Sequence, residues 1–212
     1  MRIVKEAEER KNEILDEAAA LFAKKGYDGT SIGDILEKVG VARGTLYYHF
    51  RSKEEILDAL VERISNSIIA NAKKAAGNKE HSVVDRIVES VSCLKPQSEI
   101  GDEIFEQVHK PQNALMHQKM ELIMIKGAIP VIAELIAEGV EEKTFNTKYP
   151  LNVAELLIGY SLTFFDENFE QTEEELRTRV KAFIYNAERV LGAKEGSLEK
   201  PFLKIIKQTG KM

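Results

Sequence analysis

The chain has 212 residues and a net charge of −5, with 43% hydrophobic and 31% charged residues. This composition is typical of a globular protein with a sizeable core, and its acidic balance argues against a general binder of polyanions. A single cysteine, Cys93, excludes an internal disulfide framework, and the absence of a signal peptide or a long apolar run predicts a cytoplasmic protein that does not bind membranes.

Apolar residues recur at helical spacing almost throughout the chain, and no segment alternates convincingly as a strand. A first helix is predicted over 6–25 and ends at Gly26, which suits a C-cap. Ser31 with Asp34 predicts an N-cap box for a short second helix. Gly40 then supplies a tight turn, and a third helix runs through RGTLYYHF.

A fourth, longer helix is predicted to begin at a second capping box, formed by Ser52 and Glu55, and to end at Gly77. Further helices are predicted to start at Ser82, to cover 114–140 with a kink at Pro130, and to cover 150–169, 172–191 and part of the basic tail 199–212. We therefore expect an all-α protein, with a three-helix N-terminal domain over 1–55 and a larger helical domain over 56–212.

The fifteen residues 39–53 carry Arg43, Arg51 and Lys53 and no acid, whereas residues 1–55 hold ten Lys/Arg against eleven Asp/Glu. Such a small basic island on a nearly neutral domain favours a localised phosphate contact. Two short helices joined at a glycine, the second without acids, describe a helix-turn-helix. The second helix of that motif enters the DNA major groove.

The run ALFAKKGYDGTSIGDILEKVGVARGTLYYHFRSKEEIL, within residues 14–60, resembles the N-terminal DNA-binding domain of the TetR family of transcriptional repressors. The rest of the chain is similar to that family in length and helical texture. The resemblance implies a homodimer that binds a palindromic DNA operator and is released when a small-molecule inducer shifts the helix from Ser52 to about Ala76. It implies neither an enzyme nor a cofactor.

Some side chains of residues 43–50 are expected to contact DNA, and others are expected to pack in the core. Arg43 can donate two hydrogen bonds to guanine, or contact a phosphate, or remain a solvated charge. Gly44 lets the backbone approach DNA, and Thr45 can bond a phosphate or touch a thymine methyl. Leu46 and Phe50 are four residues apart and are predicted to face the core.

Tyr47, Tyr48 and His49 occupy consecutive helical positions and cannot all face one core. The resemblance implies that the two tyrosines reach phosphates or base edges and that His49 touches the DNA backbone. A histidine satisfied within the fold explains His49 equally well.

Three further residues are implied by the resemblance to hold phosphates. Lys53 lies in the first turn of the fourth helix, where the family uses a lysine together with the helix N-terminus. Thr30 and Ser31 are expected to anchor another phosphate through hydroxyls and backbone amides, and otherwise to act as helix caps.

The larger domain offers candidates for an adaptable apolar ligand pocket, each of which a core position explains as well. They are Phe105, His109, Met116, Met120, Met124, Tyr160 and Phe164, with Phe165, Glu106 and His117 as further lining or polar groups. The Glu106-x-x-His109 spacing suits a metal, but no second pair accompanies it, so no metal site is predicted.

By resemblance, the helices over 150–169 and 172–191 pair with their copies in a four-helix bundle. Dimerisation also follows from geometry, because one short reading helix buries too little to be selective. Candidate interface residues, each also explained as intramolecular core, are Leu157, Ile158, Phe165, Val180, Phe183 and Ile184.

Two other function classes compete with this interpretation. An all-helical enzyme using Glu106, His109 and His117 would leave the acid-free stretch unexplained, and no nucleophile–base motif supports it. An interaction adaptor whose helix-turn-helix has lost DNA binding is compatible with the overall acidity. DNA binding with steep salt dependence and a sequence preference distinguishes the regulator from both.

Overall fold

The computed structural model describes residues 2–94, 110, 113–165 and 169–208, with the backbone alone for 2–5 and 204–208. All regular elements in this part of the chain are α-helices, which confirms the all-α class. They are α1 (Arg2–Lys25), α2 (Ile32–Val39), α3 (Arg43–His49), α4 (Lys53–Ala76), α5 (Val83–Ser92), α6 (Ala114–Glu141), α7 (Pro150–Phe164), α8 (Glu173–Leu191) and α9 (Glu199–Gln208). None of these helices is long and apolar enough to cross a membrane.

Side-chain caps fix several helix starts as the sequence predicts. The Ser31 side chain accepts a hydrogen bond from the Asp34 amide, and the Asp34 carboxylate accepts one from the Ser31 amide. At the second predicted box, Ser52 Oγ accepts from the Glu55 amide at 3.1 Å, but the Glu55 carboxylate accepts from the amide of Arg51 and not of Ser52. The box therefore closes one residue earlier than predicted.

Helix ends follow local chemistry as well. Gly40, which separates α2 from α3, has a φ of 74° and donates its amide hydrogen bond to the carbonyl of Leu36, a left-handed conformation that glycine adopts without strain. Helix α7 ends at Phe164 and not at residue 169, and the Gln171 side chain donates to the Phe164 carbonyl at 3.1 Å. The structure places Pro130 inside α6.

The described residues form two compact units. The first comprises 2–66, 110 and 113–123, and its core packs α1–α4 with the start of α6. The second comprises 67–94, 124–165 and 169–208. The predicted domain boundary between residues 55 and 56 lies inside α4, and residues 113–123 belong spatially to the N-terminal unit.

An ion pair in the second unit joins the buried Arg86 to the half-buried Glu138. The Arg86 side chain is 4% exposed and bonds both carboxylate oxygens of Glu138, at 2.6 and 3.0 Å. Its Nε also donates to the carbonyl of Ala76 at 2.7 Å, which satisfies the end of α4. Arg86, followed by Lys79, lowers the pKa of Glu138 from 4.5 to about 2.

The C-terminal tail also packs in the second unit. Helix α9 lies against α5, and Leu198 and Phe202 join the apolar core there. The carboxylate of Glu188, itself 3% exposed, accepts from the amides of Gly196 and Leu198 at 2.9 Å each. These bonds fix the turn that leads into α9.

Candidate nucleic-acid interface

Helix α3 depends on its buried face for its position. It has seven residues, and its N-cap residue Ala42 makes no side-chain capping bond, so an isolated helix of this length would not persist. Leu46 is 0% exposed and Phe50 2%, and both pack in a core with Phe22 and Ile35. The two predicted core positions of this stretch are therefore found in the core.

The opposite face of α3 is open to solvent. Arg43, Gly44, Tyr47 and Tyr48 are exposed, and the spacing of these four positions places them on one side of a helix. Tyr48 exposes 78% of its surface and Tyr47 44%. Since large aromatic residues are normally at least partly buried, this face is presented outward and is not used for folding.

Contacts within this face hold its side chains near one another. The Arg43 guanidinium carbon lies 6.0 Å from the centroid of the Tyr47 ring. The rings of Tyr48 and His49 meet edge to face at 5.0 Å. A Cβ added at Gly44 would meet no atom within 4 Å, so this position faces open space. We refer to Arg43, Gly44, Tyr47 and Tyr48 as the α3 outer face.

Thr45 and His49 are half-buried and, being four residues apart, lie on the same side of α3, next to the α3 outer face and not on it. Both stay predicted contacts.

Lys53 begins α4 and has partners inside the unit. Its Nζ donates to the carbonyls of Tyr27 and Thr30 at 2.7 and 2.8 Å and lies 4.2 Å from the Tyr27 ring centroid. A lysine ammonium has three N–H donors, so one is left for a phosphate. Lys53 thus anchors the turn between α1 and α2 in addition to its predicted role.

Thr30 does not fit the predicted phosphate contact. It is 1% exposed, its hydroxyl donates to the carbonyl of Gly26 at 2.8 Å, and its amide donates to the carbonyl of Tyr27. Both donors that were expected to reach a phosphate are used inside the domain. We therefore remove Thr30 from the candidate DNA contacts.

Ser31 is exposed at the start of α2, but an acid occupies the same place. Its hydroxyl and amide both donate to the carboxylate of Asp34. Lys25, bonded at 2.5 Å, and then Ser31 hold the pKa of Asp34 well below its ordinary value. Lys25 offsets the carboxylate charge that would otherwise repel a phosphate at Ser31.

One buried polar residue of this unit, Asn113, was not predicted from the sequence. The Tyr27 amide donates to Asn113 Oδ1 at 3.1 Å, and Asn113 Nδ2 donates to the carbonyl of Phe22 at 3.4 Å. These bonds join residues 86 and 91 positions apart, and no local pattern reports contacts at such separations.

Several predicted ligand residues do not form a pocket. Met116 and Met120 are 3% and 4% exposed and pack in the core of the first unit, so assigning them to a ligand pocket of the larger domain was wrong. Their helical spacing carries them into the core under α1 and α4. Met124 is buried in the second unit. Phe105, Glu106 and His109 lie outside the described residues.

Tyr160 and Phe164 belong to an aromatic cluster of the second unit. Tyr160 lies 4.7 Å from Phe164 and 5.4 Å from Phe183, ring centroid to centroid, and Phe165 meets Phe183 at 5.4 Å. The Arg179 guanidinium carbon lies 5.0 Å from the Phe164 centroid. Tyr160 and Arg179 border an open surface cleft of about 540 Å³.

An enclosed apolar cavity also lies in the second unit, between Ile87, Ile136 and Leu157. Its volume is about 20 Å³, which is close to the space of a single water molecule. The described residues around it therefore leave no room for an inducer in this conformation. Within the described part of the chain, no cluster of three or more His, Cys, Asp or Glu side chains could hold a metal ion.

Three of the predicted interface residues are core residues of the chain itself. Ile158, Val180 and Ile184 are 5%, 3% and 5% exposed within one apolar core, so assigning them to a dimer interface was wrong. Leu157 and Phe183 are half-buried, as is Phe165. The outward positions of these helices instead carry the exposed side chains of Tyr149, Leu151, Leu156 and Tyr185.

Two family models match the chain. Residues 14–60 match the model described as bacterial regulatory proteins, tetR family, and residues 98–186 match the tetracyclin repressor-like C-terminal domain. The first match contains α2, α3 and the α3 outer face.

Among curated proteins, the chain is 46% identical over 59 residues to the biofilm operon icaADBC HTH-type negative transcriptional regulator IcaR of Staphylococcus epidermidis. That alignment covers 28% of this chain and 32% of the relative, so it spans about a third of the relative's length.

Two solved structures share the fold over nearly the whole chain. A gamma-butyrolactone receptor (ArpA-like protein) superposes with a TM-score of 0.56 at 17% identity, covering 97% of this chain and 100% of the other. RolR in complex with the ligand resorcinol superposes with a TM-score of 0.60 at 15% identity, covering 95% of each chain. At these identities the likeness concerns the fold alone.

Proposed function

This chain belongs to the TetR family of bacterial regulatory proteins, and on that premise we propose that it is a DNA-binding transcriptional repressor whose release from a palindromic operator is controlled by a small molecule. The observation that carries the proposal is the division of α3. Leu46 and Phe50 are buried, whereas the α3 outer face is exposed without any acidic residue. Folding alone gives no reason to expose two adjacent tyrosines on a helix of seven residues.

The α3 outer face has the chemistry of a base-reading surface. Arg43 supplies a planar guanidinium that can donate two hydrogen bonds to guanine O6 and N7. Tyr47 and Tyr48 provide hydroxyl donors and apolar rings, and Gly44 permits close approach of the backbone. Thr45, His49 and Lys53 contact phosphates in this proposal and orient the helix without reading sequence. Ser31 is left out for the reason that removes Thr30, since its hydroxyl and amide both donate to Asp34.

Regulation by a small molecule is the second element of the proposal. The family model over residues 98–186 describes a tetracyclin repressor-like C-terminal domain. Of two solved structures with the same fold, one is a gamma-butyrolactone receptor and the other is RolR bound to the ligand resorcinol. An inducer shifts the equilibrium only if it binds the DNA-free conformation more tightly. The enclosed cavity between Ile87, Ile136 and Leu157 is about 20 Å³, so an inducer could occupy that place only if the cavity enlarged.

A homodimer completes the proposal. Two reading helices on half-sites one helical turn apart supply the selectivity that one copy lacks. The exposed apolar side chains of Leu151, Leu156 and Tyr185 lie on α7 and α8 and support pairing of these helices with their copies. In the proposed interface they replace the buried residues Ile158, Val180 and Ile184.

The proposal is tested by selection from a pool of random duplex DNA with the full chain. We expect enrichment of an inverted repeat whose half-site centres are separated by about 34–36 Å, or a multiple of that distance. Retention of DNA without any enriched sequence, or no retention at low salt, would contradict the proposal. If the chain is an adaptor that has lost DNA binding, we expect no retention of DNA at low salt.

A further inference from the structure

The turn between α1 and α2 is held by residues from two distant parts of the chain. From one side, the Lys53 ammonium bonds the carbonyls of Tyr27 and Thr30. From the other, the Asn113 carboxamide accepts from the Tyr27 amide at 3.1 Å and donates to the Phe22 carbonyl at 3.4 Å. Tyr27 therefore has both backbone groups bonded to side chains outside the turn.

Asn113 is buried, which makes its two bonds costly to lose. It is 2% exposed, and a buried amide or carbonyl without a partner is penalised because no water replaces the missing bond. The Phe22 carbonyl also accepts from Gly26 at 2.9 Å, at the end of α1. Asn113 thus contacts the chain where α1 stops and the turn begins.

Asn113 directly precedes α6, and the start of that helix is fixed in the first unit by further contacts. Met116 and Met120 are buried in the core that also contains Phe22 and Leu46. Lys119 bonds Asp58 at 2.5 Å and lies 3.4 Å from Glu54, both on α4. Asp58 is the main reason that the pKa of Lys119 is raised. The position of Asn113 is therefore set by the start of α6.

The orientation of α3 depends on this turn through the chain that follows it. Ser31 ends the turn and caps α2, and Gly40 then leads into α3. Because α3 has seven residues and no side-chain cap, it has little stability of its own to resist a shift of α2. A looser turn at Tyr27 therefore leaves the α3 outer face less well oriented.

We infer that Asn113 is a positioning residue for the α3 outer face, holding the α1–α2 turn through the Tyr27 amide and the Phe22 carbonyl. This inference rests on the proposed function, since the face it positions is the proposed DNA contact. Helix α6 also supplies residues 124–141 of the second unit.

The test compares the unaltered full chain with Asn113→Ala, Asn113→Asp and a control, Ile14→Val. Ile14 is 0% exposed in the same core and does not touch the turn, so its substitution lowers the melting temperature without removing the contact. Residue-resolved hydrogen exchange is measured without DNA. DNA affinity is measured on a duplex selected by the unaltered chain, at a temperature where circular dichroism shows every variant folded.

For Asn113→Ala we expect exchange at the Tyr27 amide at least about tenfold faster and DNA binding about tenfold weaker. Asn113→Asp keeps an oxygen acceptor, so its Tyr27 amide should exchange more slowly than in the alanine variant. The control should bind DNA within about twofold of the unaltered chain, the usual margin for a surface that is not disturbed.

Unchanged exchange at Tyr27 in Asn113→Ala would overturn the inference, as would an equal loss of DNA affinity in the control. If the unaltered chain retains no DNA, the proposed function fails instead. The exchange measurement still decides on the Asn113 contact in that case, because it needs no DNA.

Discussion

Lys53 donates from Nζ to the carbonyl oxygen of Tyr27 at 2.7 Å, and the same ammonium lies 4.2 Å from the centroid of the Tyr27 ring. One side chain therefore has two functions in this account: it anchors the α1–α2 turn and offers its remaining N–H donor to a phosphate. The two functions have different measurable consequences.

Lys53→Ala is expected to lower the free energy of unfolding by about 1–2 kcal/mol, because two backbone carbonyls lose a charged donor. It should weaken binding to all DNA sequences alike and reduce the salt slope by about one. Denaturation and salt titration measure these effects. The exposed Lys24 provides the control, since Lys24→Ala should leave stability within about 0.5 kcal/mol. An unchanged salt slope would remove Lys53 from the phosphate contacts.

Arg43→Ala is expected to relax base preference at one position of the half-site, at a cost of about 1–3 kcal/mol in discrimination. Binding measured on the selected duplex and on single-base variants of it tests this expectation. Arg51→Ala is the matched control, because Arg51 is exposed but lies beyond the α3 outer face. The control should weaken all these duplexes equally. If Arg43→Ala does the same, Arg43 does not read a base.

Gly44→Ala separates folding from DNA contact. A Cβ at this position meets no atom within 4 Å in the free protein, and alanine stabilises a helix interior by about 0.5–1 kcal/mol relative to glycine. We therefore expect a higher melting temperature together with weaker DNA binding, since the added methyl group separates the backbone from DNA. Increased stability with undiminished affinity would show that no close approach occurs at Gly44.

Glu138→Gln tests the ion pair that Glu138 makes with the buried Arg86. The pKa of Glu138 is about 2 in the folded chain against an ordinary 4.5, so its contribution to stability is complete above pH 4.5 and is lost as the pH falls toward 2. Unfolding measured from pH 7 down to about pH 2 should show the unaltered chain more stable than the variant at pH 7, and the difference in their free energies of unfolding should narrow as the pH falls. Glu134→Gln, at an exposed position of the same helix, is the control and should change the free energy of unfolding by no more than about 0.5 kcal/mol.

Leu156→Glu should give a folded monomer, because Leu156 is 57% exposed on α7 and a charge there opposes burial against a second copy. Ile158→Ala, two residues away, should instead lower the free energy of unfolding by about 2–5 kcal/mol, since Ile158 is a core residue. Sedimentation and thermal unfolding distinguish the two. A monomeric unaltered chain at micromolar concentration would contradict the dimer.

Local chemistry made part of this structure predictable. The capping box at Ser31 and the glycine at position 40 act over three or four residues, so sequence alone predicts them correctly. Helix α3 was predictable for the same reason, since burial at Leu46 and exposure at Tyr48 follow from helical period.

Periodicity does not tell which partner an apolar face packs against. The helical spacing of Met116 and Met120 predicted that they line a ligand pocket, but both pack in the core of the first unit. Ile158 was predicted to lie in the dimer interface, but it packs in the core of its own chain. Asn113 was not predictable because its contacts span 86 and 91 residues. Thr30 was predicted to contact a phosphate, but its hydroxyl donates to the carbonyl of Gly26. A threonine before a helix can make either contact, and the sequence alone does not distinguish them.

The most direct test of the central claim is a salt titration of the full chain on its selected duplex and on a random duplex of equal length. We predict that log affinity falls steeply and linearly with log salt on both, and that the selected duplex binds at least about 10³-fold more tightly at physiological salt. Equal affinity for the two duplexes, or binding that does not respond to salt, would contradict the account.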